Sequence, residues 1–301
     1  MILKKLKRKC RAFQMGFFLL LGILGFTVYV NYDYWVFKLL IANNYVFTCA
    51  LDELYGRHIR EEHRRSFYRD FDRVVISEIT SRLVEIANDR HTYLYAPHEF
   101  QQTIQTDRAI ARTAKVYALN NDTVYVFVPN ISPQTRSFIE ENREYMAQYK
   151  NLVLDLRGNY GGWIPSFHGI ANLFVPRGAI LSHMDTRLPI FTRTITSGND
   201  AFFNFENIIV LQNRLTASSA EGLIMALSEN TSGVIRIGQT SFGKGTGQVT
   251  VPLTGNYAIR ATVLNVLGPS RQNIHNIGVA PDITIYDEDF IEKALSLLGN
   301  I

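Results

Sequence analysis

Apolar residues follow two different rhythms along this chain. Before residue 90 they recur at helical spacing, and from 123 onward they come in short β-branched runs with helical stretches between them. The first run, AFQMGFFLLLGILGFTVYV at 12–30, has Gln14 and Thr27 as its only polar interruptions. At ~1.5 Å per residue it reaches ~28 Å, close to the depth of a bilayer's hydrocarbon core, and so predicts a membrane-spanning helix. WVFKLLIANNYVF (35–47) and SFYRDFDRVVISEITSRLVEIA (66–87) predict further helices, the second with a buried face of Phe71, Val74, Val75, Ile79, Leu83 and Ile86. Between them DELYGRHIREEHRR (52–65) reads as a solvated face or turn. His58 and His63 within it are five apart, with no third metal ligand nearby.

Further on, TVYVFVP (123–129), NLVLDLRG (151–158), NIIVLQN (207–213), IRIG (235–238) and YAIRATVLNVL (257–267) predict strands. QTRSFIEENREYMAQY (134–149), IPSFHGIANLFV (164–175) and residues 219–230 predict helices between them. Alternation of this kind implies an α/β core with a largely parallel sheet, and sites in such sheets gather at the carboxyl ends of strands. The expected organisation is a basic tail at 1–11, an anchor at 12–30, a helical domain at 31–105 and the α/β core at 106–301.

Charge sharpens the membrane reading. Lys4, Lys5, Lys7, Arg8, Lys9 and Arg11 precede the apolar run, and without them 25 basic residues face 27 acidic ones. The basic balance therefore belongs to the tail, which argues against nucleic acid as a partner. It also predicts a cytoplasmic N-terminus with residues 31–301 outside. A cleaved signal peptide is the alternative, but the run ends in VYVNYDYW, an aromatic interfacial pattern without a small-x-small cleavage site. Cys10 and Cys49, the two cysteines, fall on opposite sides of the expected membrane and cannot pair. With 47% hydrophobic residues over 301 positions, the core can hold the fold together.

Candidate chemistry collects at strand ends. In LTASSAE (215–221), Ser218 and Glu221 have the spacing of a capping box, and a serine held in such a turn at a helix start is equally suited to be a nucleophile. Its base could be Lys244, between Gly243 and Gly245 in TSFGKGTGQ (240–248), or His91 in NDRHTYLYAP (88–97). The lysine turn lacks the glycine spacing and the following Ser or Thr of a phosphate-binding loop. In DLRGNYGG (155–162), Asp155 and Arg157 can pair, and Gly161 and Gly162 offer unobstructed backbone N–H groups to an oxyanion.

In order, DLRGNYGG, TASSAE, FGKGTGQ and GVAPD (278–282) resemble the motifs of the C-terminal processing, or tail-specific, serine peptidases, and NDRHTYLYAPHEF resembles that family's D-x-H-[ST] segment. The resemblance implies a ClpP/crotonase-like core, no cofactor and no metal. It also implies Ser218 as nucleophile, Lys244 as base, Gln248 orienting the lysine, and an oxyanion hole from the Ser219 N–H with the Gly161–Gly162 backbone, Glu221 supporting. About twenty-five residues separate Phe100 from the first core strand, too few for the PDZ domain usual in the family. A PDZ-less, anchored chain with TASSAE looks like the nisin-resistance branch, in which the histidine at the position of His91 assists the serine; that branch's Met after TASSAE is Gly222 here. The expected function is an extracytoplasmic serine endopeptidase acting on peptides or protein tails, lantibiotics among them. A peptide-sequestering surface protein on the same scaffold is the alternative.

Overall fold

The computed structural model describes residues 2–54, 73–286 and 289–299. The stretch with His58 and His63, and Phe71 of the expected helical face, lie outside the described residues. Two compact units emerge, one formed by the chain up to His98 together with Val249–Ala261, the other by Glu99–Gln248 and Thr262–Ile301.

In the first unit, α1 (Ile2–Val30) is followed by α2 (Tyr32–Phe37), a π-helical turn (Lys38–Ala42), α3 (Thr48–Leu54), α4 (Arg73–Ala87) and strand β1 (Tyr93–Tyr95). Within α1, Phe13–Val30 has a mean hydropathy of 1.9 and none of it is buried; it is the one helix among the described residues long and apolar enough to cross a membrane. The buried stripe of α4 is Ile76, Ile79, Thr80 and Leu83, a turn-by-turn spacing, whereas Ile86 is exposed. Thr80 enters that stripe because its hydroxyl donates to the Ile76 carbonyl at 2.8 Å. Asp89, buried at the end of α4, accepts from the Tyr45 hydroxyl at 3.0 Å, the Thr92 hydroxyl at 2.6 Å and the His91 backbone N–H at 3.0 Å. Burial and the Asp89 charge push the Tyr45 phenol well above its ordinary range.

The second unit runs α5 (Glu99–Ala111), β2 (Lys115–Ala118), β3 (Thr123–Phe127), α6 (Pro133–Glu141), α7 (Arg143–Met146), β4 (Asn151–Asp155), α8 (Ile164–Ala171), β5 (Ile180–Thr186), β6 (Arg193–Thr196), β7 (Asn207–Gln212), α9 (Ser219–Asn230) and β8 (Val234–Gly238). There follow β9 (Thr246–Pro252) and β10 (Ala258–Leu267), of which Val249–Pro252 and Ala258–Ala261 fall in the first unit, then β11 (Ile283–Thr284) and α10 (Phe290–Leu298). One sheet has the order β11-β8-β7-β4-β3-β2 and is parallel except at its β2 edge.

Its strands are apolar on both faces, as a covered parallel sheet requires. Val124, Val126, Leu152, Leu154, Ile208 and Val210 enter one core with Ile139 of α6, Phe167 of α8 and Leu223 of α9. The alternate residues Tyr125, Val153, Ile209 and Leu211 enter another with Phe290 and Ala294 of α10.

Two expectations change. The sheet is largely parallel only in this core, because β5 pairs antiparallel both with β6 and with the Leu264–Leu267 part of β10. The expected helix at 134–149 divides at Asn142, whose side chain folds back to donate to the Phe138 carbonyl at 2.8 Å. The first core can be tested directly: Leu154→Ala removes a side chain 1% exposed and should lower unfolding free energy by about 2–5 kcal/mol in denaturant titration of the full chain.

Candidate active site

The carboxyl end of β4 is fixed by charge. Asp155, 1% exposed, accepts from the Tyr125 hydroxyl at 2.7 Å, the Arg157 N–H at 3.0 Å and the Arg157 guanidinium at 2.6 Å. Arg157 in turn lies 4.5 Å over the Phe290 ring. The Asp155 hydrogen bond raises the guanidinium's proton affinity, while burial, with the neighbouring carboxylate, does the same for Tyr125.

Beyond this pair, Asn159 is fully buried and holds three backbones at once. Its amide donates to the Val128 carbonyl at 2.8 Å, its side-chain oxygen accepts from the Gly161 N–H at 2.9 Å, and its own carbonyl accepts from the Ala217 N–H at 2.9 Å. DLRGNYGG is thereby stitched to LTASSAE. Neither glycine of the pair could carry a side chain. A Cβ on Gly161 (φ +91) would stand 2.6 Å from the Ala217 carbonyl oxygen, and one on Gly162 (φ +146) 2.0 Å from that of Ile131. The Gly161 N–H is thus committed to Asn159. Among the described residues the Gly162 N–H donates to no protein acceptor. The neighbouring Tyr160 hydroxyl donates to Asp107 of α5 at 2.7 Å, and burial followed by that bond moves its pKa up to about 12.

LTASSAE turns from β7 into α9. Thr216 anchors the turn, its hydroxyl donating to the Leu156 carbonyl at 2.9 Å and accepting from the Asn213 N–H at 3.0 Å. Ser218 has φ 56 and ψ −120. Ser132, the N-cap of α6, shows what an ordinary cap looks like in this protein, with extended backbone (φ −137, ψ 165) and its hydroxyl accepting the Thr135 N–H at 3.1 Å. Ser218 is instead held in a conformation that costs a non-glycine residue free energy and persists only where its surroundings impose it.

Glu221 imposes it. Its side chain, buried in the first turn of α9, accepts two donors on each oxygen. Oε2 takes the Ser218 N–H at 2.6 Å and the Lys244 N–H at 2.9 Å; Oε1 takes the Ser241 hydroxyl at 2.5 Å and the Gly243 N–H at 2.7 Å. The expected capping box of Ser218 and Glu221 therefore exists, and the same carboxylate also holds the lysine turn. GVAPD backs that turn, the Val279 N–H donating to the Ser241 hydroxyl at 2.7 Å. Ser241 and Val279 lie inside the quoted stretches TSFGKGTGQ and GVAPD, but nothing in the sequence marks either as a partner of Glu221.

Ser218 and Lys244, both half-buried, line one cleft with Ile164, Phe167, Met225, Val266 and Ile274, around about 250 Å³ of empty space partly open to solvent. Gly222 faces the Phe167 ring, which a Cβ there would meet at 3.1 Å. The Gln248 amide donates to the Thr246 and Thr262 hydroxyls at 3.3 Å. His91 belongs to the other unit. His168, behind Phe167, shares a 2.8 Å hydrogen bond with Ser182, and burial lowers its pKa to about 4.

A serine forced into a strained turn at a helix start, beside a lysine and next to glycine N–H groups, is the layout of a serine-type hydrolase. The chain belongs to peptidase family S41, a serine-type peptidase family whose profile matches residues 122–285. It is 33% identical over 154 residues to the chloroplastic C-terminal processing peptidase of Tetradesmus obliquus, covering 51% of this chain and 32% of that protein. Against the carboxy-terminal-processing protease of Bartonella bacilliformis it is 35% identical over 136 residues, 45% of this chain and 31% of the relative. The chain thus matches about a third of the length of these curated relatives. Among solved structures, a lipoprotein from Streptococcus agalactiae shares the fold with a TM-score of 0.62 at 23% identity, over 80% of this chain and 87% of that one.

Replacing Glu221 should show how much rests on it. Glu221→Ala strands four donors and should cost on the order of 3 kcal/mol or more in chemical denaturation. Glu221→Gln should also destabilise, by less, since its NH2 must oppose at least one backbone N–H.

Proposed function

We propose that this chain is a serine endopeptidase, anchored by its N-terminal helix and working outside the membrane on peptides or protein tails near their C-terminal end. The observation that carries the reading is the Glu221 carboxylate, which holds the Ser218 and Lys244 backbones together at one cleft. In this reading neutral Lys244 takes the Ser218 hydroxyl proton as the oxygen attacks a peptide carbonyl. Charge developing on that carbonyl's oxygen is met by the Ser219 and Gly162 N–H groups, with the positive end of α9 adding to the field. Collapse breaks the C–N bond, the lysine's proton passes to the leaving amine, and water then releases the acyl group by the same route.

Lys244 is preferred over His91 as base because it shares the cleft with Ser218. Gln248 then helps to set the lysine turn through Thr246 and Thr262. The apolar cleft walls suit an apolar side chain next to the scissile bond. Lantibiotics of the nisin kind are a substrate class supported by the TASSAE resemblance, and the basic flank of the apolar helix supports a cytoplasmic N-terminus.

The full chain in detergent micelles, incubated with nisin and with a panel of apolar-tailed peptides, should give products by mass spectrometry. Ser218→Ala should give none while remaining folded, and Lys244→Ala should be slower by about 10²–10⁴-fold. His91→Ala should keep most of the activity; the reverse ranking would move the base to His91. Peptide binding with no product from the wild type would replace the enzyme reading with sequestration.

A further inference from the structure

Ser219 follows the nucleophile, and its hydroxyl has a partner far along the chain. The residue is 3% exposed, and Oγ donates to the Gly162 carbonyl at 2.9 Å across 57 positions of sequence. A buried hydroxyl has one proton to give, and this one goes to the backbone of the glycine whose N–H is left undonated.

The effect on Gly162 can be followed peptide by peptide. The 161–162 unit is held by the Ile131 N–H donating to the Gly161 carbonyl at 2.9 Å. The 162–163 unit is held on one side by the Trp163 N–H donating to the Ile131 carbonyl at 2.7 Å, and on the other by Ser219 Oγ. Glycine has no Cβ to restrict its torsions, and at φ +146 Gly162 lies outside the range that a side chain would stabilise. External hydrogen bonds must therefore set the direction of its N–H. The Ile131 bonds tie both peptide units to the loop before α6; the Ser219 bond ties the second of them, joined to that N–H through the Gly162 Cα, to α9. Close approach makes this possible, since a Cβ on Gly161 would stand 2.9 Å from the Ser219 backbone nitrogen.

We infer that the Ser219 hydroxyl is a positioning group that fixes the distance between the two oxyanion donors, its own backbone N–H and that of Gly162. This rests on the serine peptidase reading and adds to it a role for a side chain that performs no proton transfer. Its work is done when the carbonyl oxygen becomes an anion, because donors placed for the ground-state carbonyl and for the oxyanion differ by fractions of an ångström.

The test uses the full chain in detergent, a quenched fluorogenic peptide that the wild type cleaves, the corresponding peptide aldehyde, and the amino-side product peptide. The aldehyde adds to Ser218 as a tetrahedral oxyanion adduct; the product binds without one. Ser219→Ala should keep the wild-type melting temperature and KM, lower kcat about ten- to a hundredfold, and weaken the aldehyde by a similar factor. Product binding should not change. Ser219→Thr, which keeps the hydroxyl, should recover most of kcat. A Ser219→Ala protein with wild-type kcat and aldehyde affinity overturns the role while leaving the peptidase reading intact, and so does an equal loss in product binding. A wild-type chain that neither cleaves nor captures the aldehyde overturns both.

Discussion

Everything at this site hangs on a buried carboxylate that takes four donors. Glu221 is locked by the first turn of α9, and its two oxygens divide their donors between the nucleophile turn and the lysine turn. A charged acceptor inside the protein is tolerable only when its lone pairs are satisfied. That requirement makes the arrangement cooperative, since withdrawing any one segment leaves the anion short of a donor. The strained backbone of Ser218 is one consequence, held by the 2.6 Å bond from its own N–H.

The rest of the unit can be understood as support for that constraint. β4 and β7 are adjacent parallel strands in register from Asn151 against Asn207 to Asp155 against Leu211, so their carboxyl ends emerge side by side. The glycine turn after one and the serine turn after the other meet there, joined by Asn159 and by the absence of a side chain at Gly161. α8 and α9 cover the sheet with Phe167 and Leu223, and their facing residues continue outward as the apolar wall of the cleft. Packing and chemistry share residues here, as they commonly do where a site lies at the carboxyl ends of a parallel sheet.

Much of the fold was legible because its signals are local. The runs at 123–129, 151–158 and 207–213 announce strands through β-branched residues, and they became β3, β4 and β7. β5 and β6 were not anticipated. In β5 the buried positions include Ser182 and His183, whose polarity hides the alternation and is answered only by His168, Thr194 and the Pro269 carbonyl. Ile86 was read into the buried face of its helix, but the stripe runs through Thr80, a polar residue that satisfies itself against its own helix.

Sequence by itself determined where the core strands at 123–129, 151–158 and 207–213 run, the helix start at 219, and the order of motifs that places the chain in its family. Each of these is set by side-chain period, backbone sterics or residues within one turn of each other. Only the tertiary structure decided that Gly161 and Gly162 face backbone too close for a Cβ, that Ser218 sits at φ 56 and ψ −120, and that Glu221 binds two loops. The Glu221 arrangement depends on donors 20 to 23 residues away, and competition for a limited number of buried partners is settled only when the sheet brings its strand ends together.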